Sequence, residues 1–227
     1  MERTEPHFQF GKIFERTRAR RGKIEPNDSE ERFESLAVDV FKGRARLVSP
    51  NEVEVDGETN LKAKNFAIAT GRRAGIPPIQ GIDDVPYYTN ETIFDNLNQK
   101  PDRPVIVGAG PIGCELGQVF NRLGVEVTLF EFMPQIMGKE DPDVASFVQK
   151  RLETEGVRVL TSTGVNSAQK SDGRINCMAT QRDENSGETA ITLETDALLI
   201  AAGRIPNVEG LDLEAAGVDY ERLRDSG

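Results

Sequence analysis

Cysteine and histidine are almost missing from this sequence: Cys114, Cys177 and His7 are all it holds. Scattered so widely, they cannot make the closely spaced ligand set of a metal site. Two isolated cysteines are ordinarily buried small apolar side chains, and neither reads as a redox centre. His7 stands in a polar terminal segment and reads as solvated. Long apolar runs are missing too. The longest, Ala197 to Ala202, is far too short to cross a bilayer, and the start MERTEPHFQF has no apolar segment of the signal-peptide kind. Positive charge is in deficit, with 28 Lys+Arg against 38 Asp+Glu and a net charge of −10. That excess repels phosphate backbones and anionic lipid, so neither nucleic acid nor membrane is an expected partner. These absences point to a cytoplasmic protein with a small-molecule substrate. What remains is ordinary: 37% hydrophobic and 29% charged residues suffice for a real core in one large or two small domains.

Along the chain, Arg16, Arg18, Arg20, Arg21 and Lys23 form a basic cluster, followed by Glu25, Asp28, Glu30 and Glu31. Mixed charge at this density marks a solvated helix face. Asp28 or Ser29 can cap a new helix, with Glu31 in capping-box spacing from Asp28. Val38–Phe41, Ala45–Val48 and Glu52–Val55 have strand character and are separated by turn residues, which predicts hairpins of a small sheet. NFAIATG, residues 65–71, reads as a buried strand stopping at a glycine. Residues 72–103, with Pro77, Pro78, Pro86 and Pro101 and Pro104 just beyond, read as a connector with a short helix near Glu91–Leu97. Periodicity then strengthens. VIVG is a strand, and Ile112, Leu116, Val119, Phe120 and Leu123 predict one face of a helix closed by Gly124. VEVTLFE is a second strand. Asp141-Pro142 opens a second helix with Val144, Phe147, Val148 and Leu152 on its face, ended by Gly156. Val157–Leu160 is a third strand, residues 174–180 and 190–195 predict an antiparallel pair about the turn DENSGET, and DALLIAAG is a further buried strand. Alternating strands and helices imply a parallel sheet covered by helices. NFAIATG and ALLIAAG share a shape, a strand ending at Gly71 or Gly203, as expected where a strand must stop beside a ligand.

The stretch VIVGAGPIGCELG holds Gly108, Gly110 and Gly113 in G-x-G-x-x-G spacing, between a strand and a helix. Glu131 ends the next strand, 23 residues after Gly108. This context predicts a dinucleotide site. Gly108 permits the tight turn, Gly110 lets backbone approach a pyrophosphate, and Gly113 and Gly117 let the helix lie close to the sheet. Ala109, Pro111 and Ile112 complete the loop that would touch the cofactor, and the helix N-terminus offers N–H groups and partial positive charge. Glu131 can accept both ribose hydroxyls of NAD and would repel the extra phosphate of NADP, for which FMPQIMGK offers no arginine. NAD is therefore expected over NADP. Glu115, in the first helical turn, is the candidate for a role beyond binding, although acids are favoured there by the helix dipole alone.

Gly43-Arg44-Ala45, Ala69-Thr70-Gly71, GAGPIGCELG, VTLFE and AAGRIPN, in this order, resemble the flavin-dependent pyridine nucleotide–disulfide oxidoreductases. The likeness is to mercuric reductase-like and dihydrolipoamide dehydrogenase-like members, with PNDSEERF at 26–33 pointing to the former. The resemblance implies a Rossmann-like NAD(P)-binding domain, with a parallel sheet and a β-meander, inserted in the remnant of an FAD-binding α/β domain. Residues 1–95 would be the later part of the first FAD segment, 96–208 the NAD(P) domain and 209–227 the return. It implies FAD and NAD as cofactors, with Gly43, Thr70, Gly71 and Arg72 on the flavin side. Glu115 would be catalytic beside the nicotinamide, Val165 would offer backbone to the adenine region and Gly203 would border the nicotinamide end. Pro111 stands where the family often has an aromatic gate. The family's N-terminal FAD fingerprint, cysteine pair, glycine–aspartate motif and dimerisation domain are not matched, which suggests a fragment of a homodimeric enzyme. Three readings follow: an oxidoreductase passing hydride from NAD(P)H through FAD to a disulfide or metal-thiolate acceptor; a stand-alone NAD-binding or redox-sensing module; or a flavin NADH dehydrogenase without the cysteine pair.

Overall fold

A computed structural model describes residues 9–183 and 187–220; His7 and the tip of DENSGET at residues 184–186 lie outside them. The helices are α1 (Phe10–Ile24), α2 (Glu30–Ser35), α3 (Ile93–Asn96), α4 (Pro111–Arg122) and α5 (Pro142–Glu155). The strands are β1 (Ala45–Ser49), β2 (Glu52–Val55), β3 (Thr59–Lys62), β4 (Arg72–Ala74), β5 (Tyr87–Thr89), β6 (Val105–Val107), β7 (Thr128–Phe130), β8 (Arg158–Leu160), β9 (Thr163–Ser171), β10 (Arg174–Asp183), β11 (Gly187–Thr195), β12 (Leu198–Ile200) and β13 (Arg204–Pro206). The chain divides into two compact units. One holds the described residues up to Arg18 together with Ala74–Arg204, the other Ala19–Arg73 with Ile205 onward.

The larger unit is built on a five-stranded sheet, order β5-β12-β6-β7-β8, with every pairing parallel. Its strands sort their side chains by alternation. Ile106, Leu129 and Leu199 join the helix-side core with Phe120, Leu152 and Ile136. Val105, Val107, Phe130, Leu198 and Ile200 face the other core, with Ile175, Cys177 and Ala179 of the antiparallel meander β11-β10-β9. Strands covered on both faces read as unbroken apolar runs, which is why VIV and LLI stood out. Each such residue contributes about 1.5–3 kcal/mol on burial. Phe10 and Phe14 of α1 stack against Phe120 at 6.2 and 6.4 Å between ring centroids. Buried Thr195 ties the meander to the sheet. Its hydroxyl donates to Arg103 O (2.8 Å) and accepts from Val105 N (3.2 Å), while Asp196 accepts the amides of Asp102 and Arg103.

Both helix faces meet the periodic expectation in part: Leu116, Phe120 and Leu123 of the first, and Val148 and Leu152 of the second, pack on the core. The buried side of α4 is Gly113, Cys114, Gly117 and Phe120, and Val119 is exposed. On α5, Ala145 and Leu152 are buried while Val144 and Phe147 face solvent. Small residues let the helices lie close to the sheet, and Val119, Val144 and Phe147 are left facing solvent. Tyr87–Thr89, within the proline-rich stretch, is an edge strand of the main sheet rather than linker.

The ends of α4 and α5 are clamped by Glu155. Its carboxylate accepts from Arg122 through both nitrogens at 2.8 Å, from Gln118 at 3.2 Å and from Arg151. The Arg122 guanidinium, with Arg151 beside it, holds this carboxyl down at about 2, against the ordinary 4.5. Because the folded value is the lower one, the clamp's contribution is complete above pH 4.5 and is lost as pH falls towards 2. Thermal melts across this range should fall more shallowly in Glu155→Gln than in the unaltered chain, from a lower starting point at neutral pH. Parallel acid limbs would count against the clamp.

The smaller unit has the hairpin sheet β1-β2-β3. Asp56 and Gly57 are both left-handed, at φ 52° and 75°, and Glu58 N bonds Val55 O at 3.1 Å, a turn that matches the twist of a hairpin. Leu47, Val55 and Leu213 form its buried centre. Ser29, not Asp28, caps α2, accepting from Arg32 N at 3.3 Å. Two strand expectations fail here. Val38–Phe41 and residues 65–71 are irregular and largely exposed, with Phe41 at 51% and Ile68 at 47%. A strand needs a neighbour to accept its ladder, and among the described residues neither segment has one.

Candidate functional site: a glycine loop at the crossing of the parallel sheet

The order of strand addition in the main sheet reverses at β6, with β7 and β8 added on one side and β12 on the other. Crevices at such switch points are where open parallel sheets bind ligands. Ala201 N bonds Val107 O at 2.7 Å, and Gly108, at φ 101°, sits where β6 and β12 come closest. A Cβ on Gly108 would overlap the Ala201 carbonyl oxygen, and one on Gly113 would overlap the carbonyl oxygen of Gly108. Gly117 lies under Leu129, whose Cδ1 would be 2.7 Å from an added Cβ. These three glycines are required by the protein's own packing.

Gly110 is different. It is the N-cap of α4 at φ −71° and ψ −174°, an extended conformation open to any residue. Among the described residues, nothing beyond its own chain neighbours lies within 4 Å of where its Cβ would be. Nothing inside the molecule asks for glycine here, whereas a diphosphate lying against the loop would. No side chain caps α4, so the first-turn N–H groups of Ile112 and Gly113 face that space; Pro111 contributes none. Glu131, half-buried at the tip of β7, is fixed at both oxygens. Oε2 accepts from Ala109 N at 2.7 Å and Oε1 from Met133 N at 2.9 Å. Ala109 O in turn accepts from Met137 N at 2.8 Å. The loop and the carboxylate are thus one hydrogen-bonded assembly, and each carboxylate oxygen keeps acceptor capacity for a sugar hydroxyl. These residues fit the adenosine diphosphate half of a nicotinamide coenzyme.

Glu115 is exposed and has no cationic partner among the described residues. Cys114 is buried, its Sγ donating to Ala109 O at 3.3 Å. Burial, with Glu131 and Glu115 nearby, pushes its thiol up to about 11, and burial does the same to Cys177. Neither is a thiolate at neutral pH. Val165 lies on β9 opposite Ala179, beside a bulge at Asn166, with its side chain packed inward. Gly203 follows β12 at φ 121° with open space beside it, and its carbonyl accepts from Gly75 N at 3.0 Å.

In the smaller unit, Thr70 donates to Asn207 O at 2.6 Å, Asn207 Nδ2 returns a bond to Thr70 O at 3.0 Å, and Asn207 N bonds Gly71 O at 3.1 Å. Arg73 grips Asn207 and both oxygens of Glu209. Asn207 is a partner of Thr70 that the sequence does not announce; no local pattern links positions 137 residues apart. Gly43 owes its missing side chain to Asp56, which a Cβ would strike. Thr70, Gly71 and Arg72, which opens β4, are exposed. Within this unit these residues offer backbone along one edge. An open cleft of about 350 Å³ lined by Lys100, Asp102, Arg103, Gly124, Glu126 and Arg174 lies at the opposite strand ends. Its two arginines already meet Glu126 and Glu194. Among the described residues no cluster of metal ligands occurs, and no helix is long and apolar enough to cross a membrane.

A family model described as pyridine nucleotide-disulphide oxidoreductase matches residues 9–224. Mercuric reductase of Lysinibacillus sphaericus is 35% identical over 181 residues, covering 80% of this chain and 32% of that protein. Dihydrolipoyl dehydrogenase of Thermus scotoductus is 37% identical over 190 residues, covering 81% and 39%. Among solved structures, the HOCl-induced flavoprotein disulfide reductase RclA from Escherichia coli superposes with a TM-score of 0.76 at 27% identity, over 95% of this chain and 48% of that one. The chain spans a third to two-fifths of the length of these curated relatives. With the family model matched over nearly its whole length, the chain belongs to the pyridine nucleotide-disulphide oxidoreductase family.

Proposed function

We propose that this chain is the coenzyme-handling part of an FAD-dependent oxidoreductase that takes hydride from NADH, or less favourably NADPH, and delivers it through FAD to a disulfide or metal-thiolate acceptor. The observation that carries this reading is Gly110, a glycine whose empty side faces nothing but the space above the α4 N-terminus. In this reading the amides of Ile112 and Gly113 hold the diphosphate, and Glu131 holds the adenosine ribose. Gly203 borders the nicotinamide, Val165 lends backbone to the adenine, and Glu115 stands beside the nicotinamide ring. FAD supplies the redox step when bound; Gly43, Thr70, Gly71 and Arg72 are the residues of this chain on its side. Residues 96–208 are assigned to the coenzyme domain and 1–95 and 209–227 to flavin-side segments, with the compact larger unit reaching ahead of residue 96 to take in β5. A cytoplasmic, homodimeric holoenzyme is the form the reading favours.

Calorimetric titration of the chain with NADH tests the first half, and the yellow absorbance of added FAD, bleached by NADH without air, tests the second. Heat with bleaching supports the oxidoreductase. A full-length product that binds NADH yet is purified colourless favours a stand-alone binding module. No heat from either coenzyme defeats both.

A further inference from the structure

The residues following Glu131, FMPQIMGK, contain no arginine to meet a 2′-phosphate. The fold brings one from another strand. Arg182, near the end of β10, lays its guanidinium over the ring of Phe132, 5.6 Å from the centroid, and Phe132 is the residue directly after Glu131. Backbone bonds hold this arrangement: Arg182 N to Ser162 O at 2.8 Å, Ser162 N to Met133 O at 2.9 Å, and Thr163 N to Glu131 O at 2.8 Å. The ring lies against Gly164, where a Cβ would come within 3.2 Å of Phe132 Cδ2. Carboxylate, aromatic face and guanidinium therefore follow one another at the tip of β7.

The charge of Arg182 is available. Its anionic partner among the described residues is Glu188, at 3.2 Å, and the two side chains are 64% and 65% exposed. A pair so exposed is weak in water and open to exchange. A guanidinium resting on an aromatic face keeps its N–H edge free to fork onto a phosphate. We propose that Arg182 is a specificity-determining residue of the coenzyme site, supplying the cation that admits a 2′-phosphorylated nicotinamide dinucleotide despite the carboxylate of Glu131. The assignment rests on the coenzyme reading above and refines it: the site takes both coenzymes, and Arg182 sets their ratio.

The test is calorimetric titration of NADH and of NADPH into the 227-residue chain and its Arg182→Gln, Arg182→Glu and Arg182→Lys variants. The unaltered chain should bind both. Arg182→Gln should weaken NADPH about tenfold, as expected for one lost charge-assisted contact, with NADH held within about twofold. Arg182→Glu should weaken NADPH further, and Arg182→Lys should restore part of it. An unchanged NADPH-to-NADH ratio in the Gln and Glu variants overturns the proposal, as does an equal fall for both coenzymes or an unaltered chain that binds NADH alone. No heat from either coenzyme with the unaltered chain overturns the coenzyme reading itself, and this assignment with it.

Discussion

Gly110→Val should abolish NADH binding, by about 100-fold or more, while the protein stays folded. The backbone at residue 110 is extended at φ −71° and ψ −174°, a region that suits a β-branched residue. Among the described residues, the space beside it holds nothing within 4 Å beyond its own chain neighbours, so the isopropyl group meets no wall. Valine is a poorer N-cap than glycine, which costs about 1 kcal/mol or less and shifts the melting temperature by only a few degrees. A diphosphate seated on the α4 N-terminus would instead lose its van der Waals contact with the loop and its bonds to the first-turn amides. A loss of 100-fold corresponds to about 2.7 kcal/mol, a modest figure for displacing a charged group from several N–H donors. The measurement pairs calorimetry with a thermal melt on the same sample. Affinity retained at an unchanged melting temperature would show that no diphosphate lies there. Gly113, three residues on, is the contrast: its Cβ would run into the carbonyl of Gly108, so substitution there strikes the fold before any ligand.

Glu131→Arg carries the second large effect, and its outcome has two parts. The carboxylate offers acceptors to ribose hydroxyls, and it also anchors the amides of Ala109 and Met133 at 2.7 and 2.9 Å. Arginine has no acceptor, so it loses the sugar grip and leaves both amides without their partner. NADH affinity should fall about 100-fold, more than the loss of a sugar contact alone would bring, because the glycine loop loses its support as well. Added positive charge favours the 2′-phosphorylated coenzyme, so the ratio of NADPH to NADH affinity should rise even though NADPH gains less than the charge change alone would give. Titration of both coenzymes into the variant reads this directly. An unaltered ratio would remove Glu131 from the ribose position.

The glycine loop and its carboxylate were legible in sequence because they are local. Strand, turn, helix and next strand follow within two dozen residues, and buried strands such as VIV and LLI are apolar at every position. The core face of α4 was legible only in part: Leu116, Phe120 and Leu123 lie where the periodicity puts them, but the side that meets the sheet also holds Gly113 and Gly117, which no hydrophobic periodicity records. NFAIATG has the composition of a buried strand, yet strand character is conferred by a neighbour, and composition cannot say whether one is present. Tyr87–Thr89 was hidden by surrounding prolines and is made a strand by β12. Partners distant in sequence were also out of reach. Asn207 meets Thr70 and Arg182 meets Phe132 through the paths of whole strands, and neither pairing leaves a spacing to detect.

The placement of β12 between β5 and β6 bears on how the chain is assembled. Edge strand β5 has no ladder partner until Leu198–Ile200 arrives, more than a hundred residues after it is synthesised, and β6 waits nearly as long for its second neighbour. Long-range parallel pairing of this kind slows folding. A nascent chain can form β6, α4, β7, α5 and β8 as a half-sheet while it is still on the ribosome. The wall of the crevice contributed by Ala201 is set only when this last-made central strand slides into the gap. Ligand competence of this sheet therefore waits for β12 and does not follow directly on the making of the glycine loop.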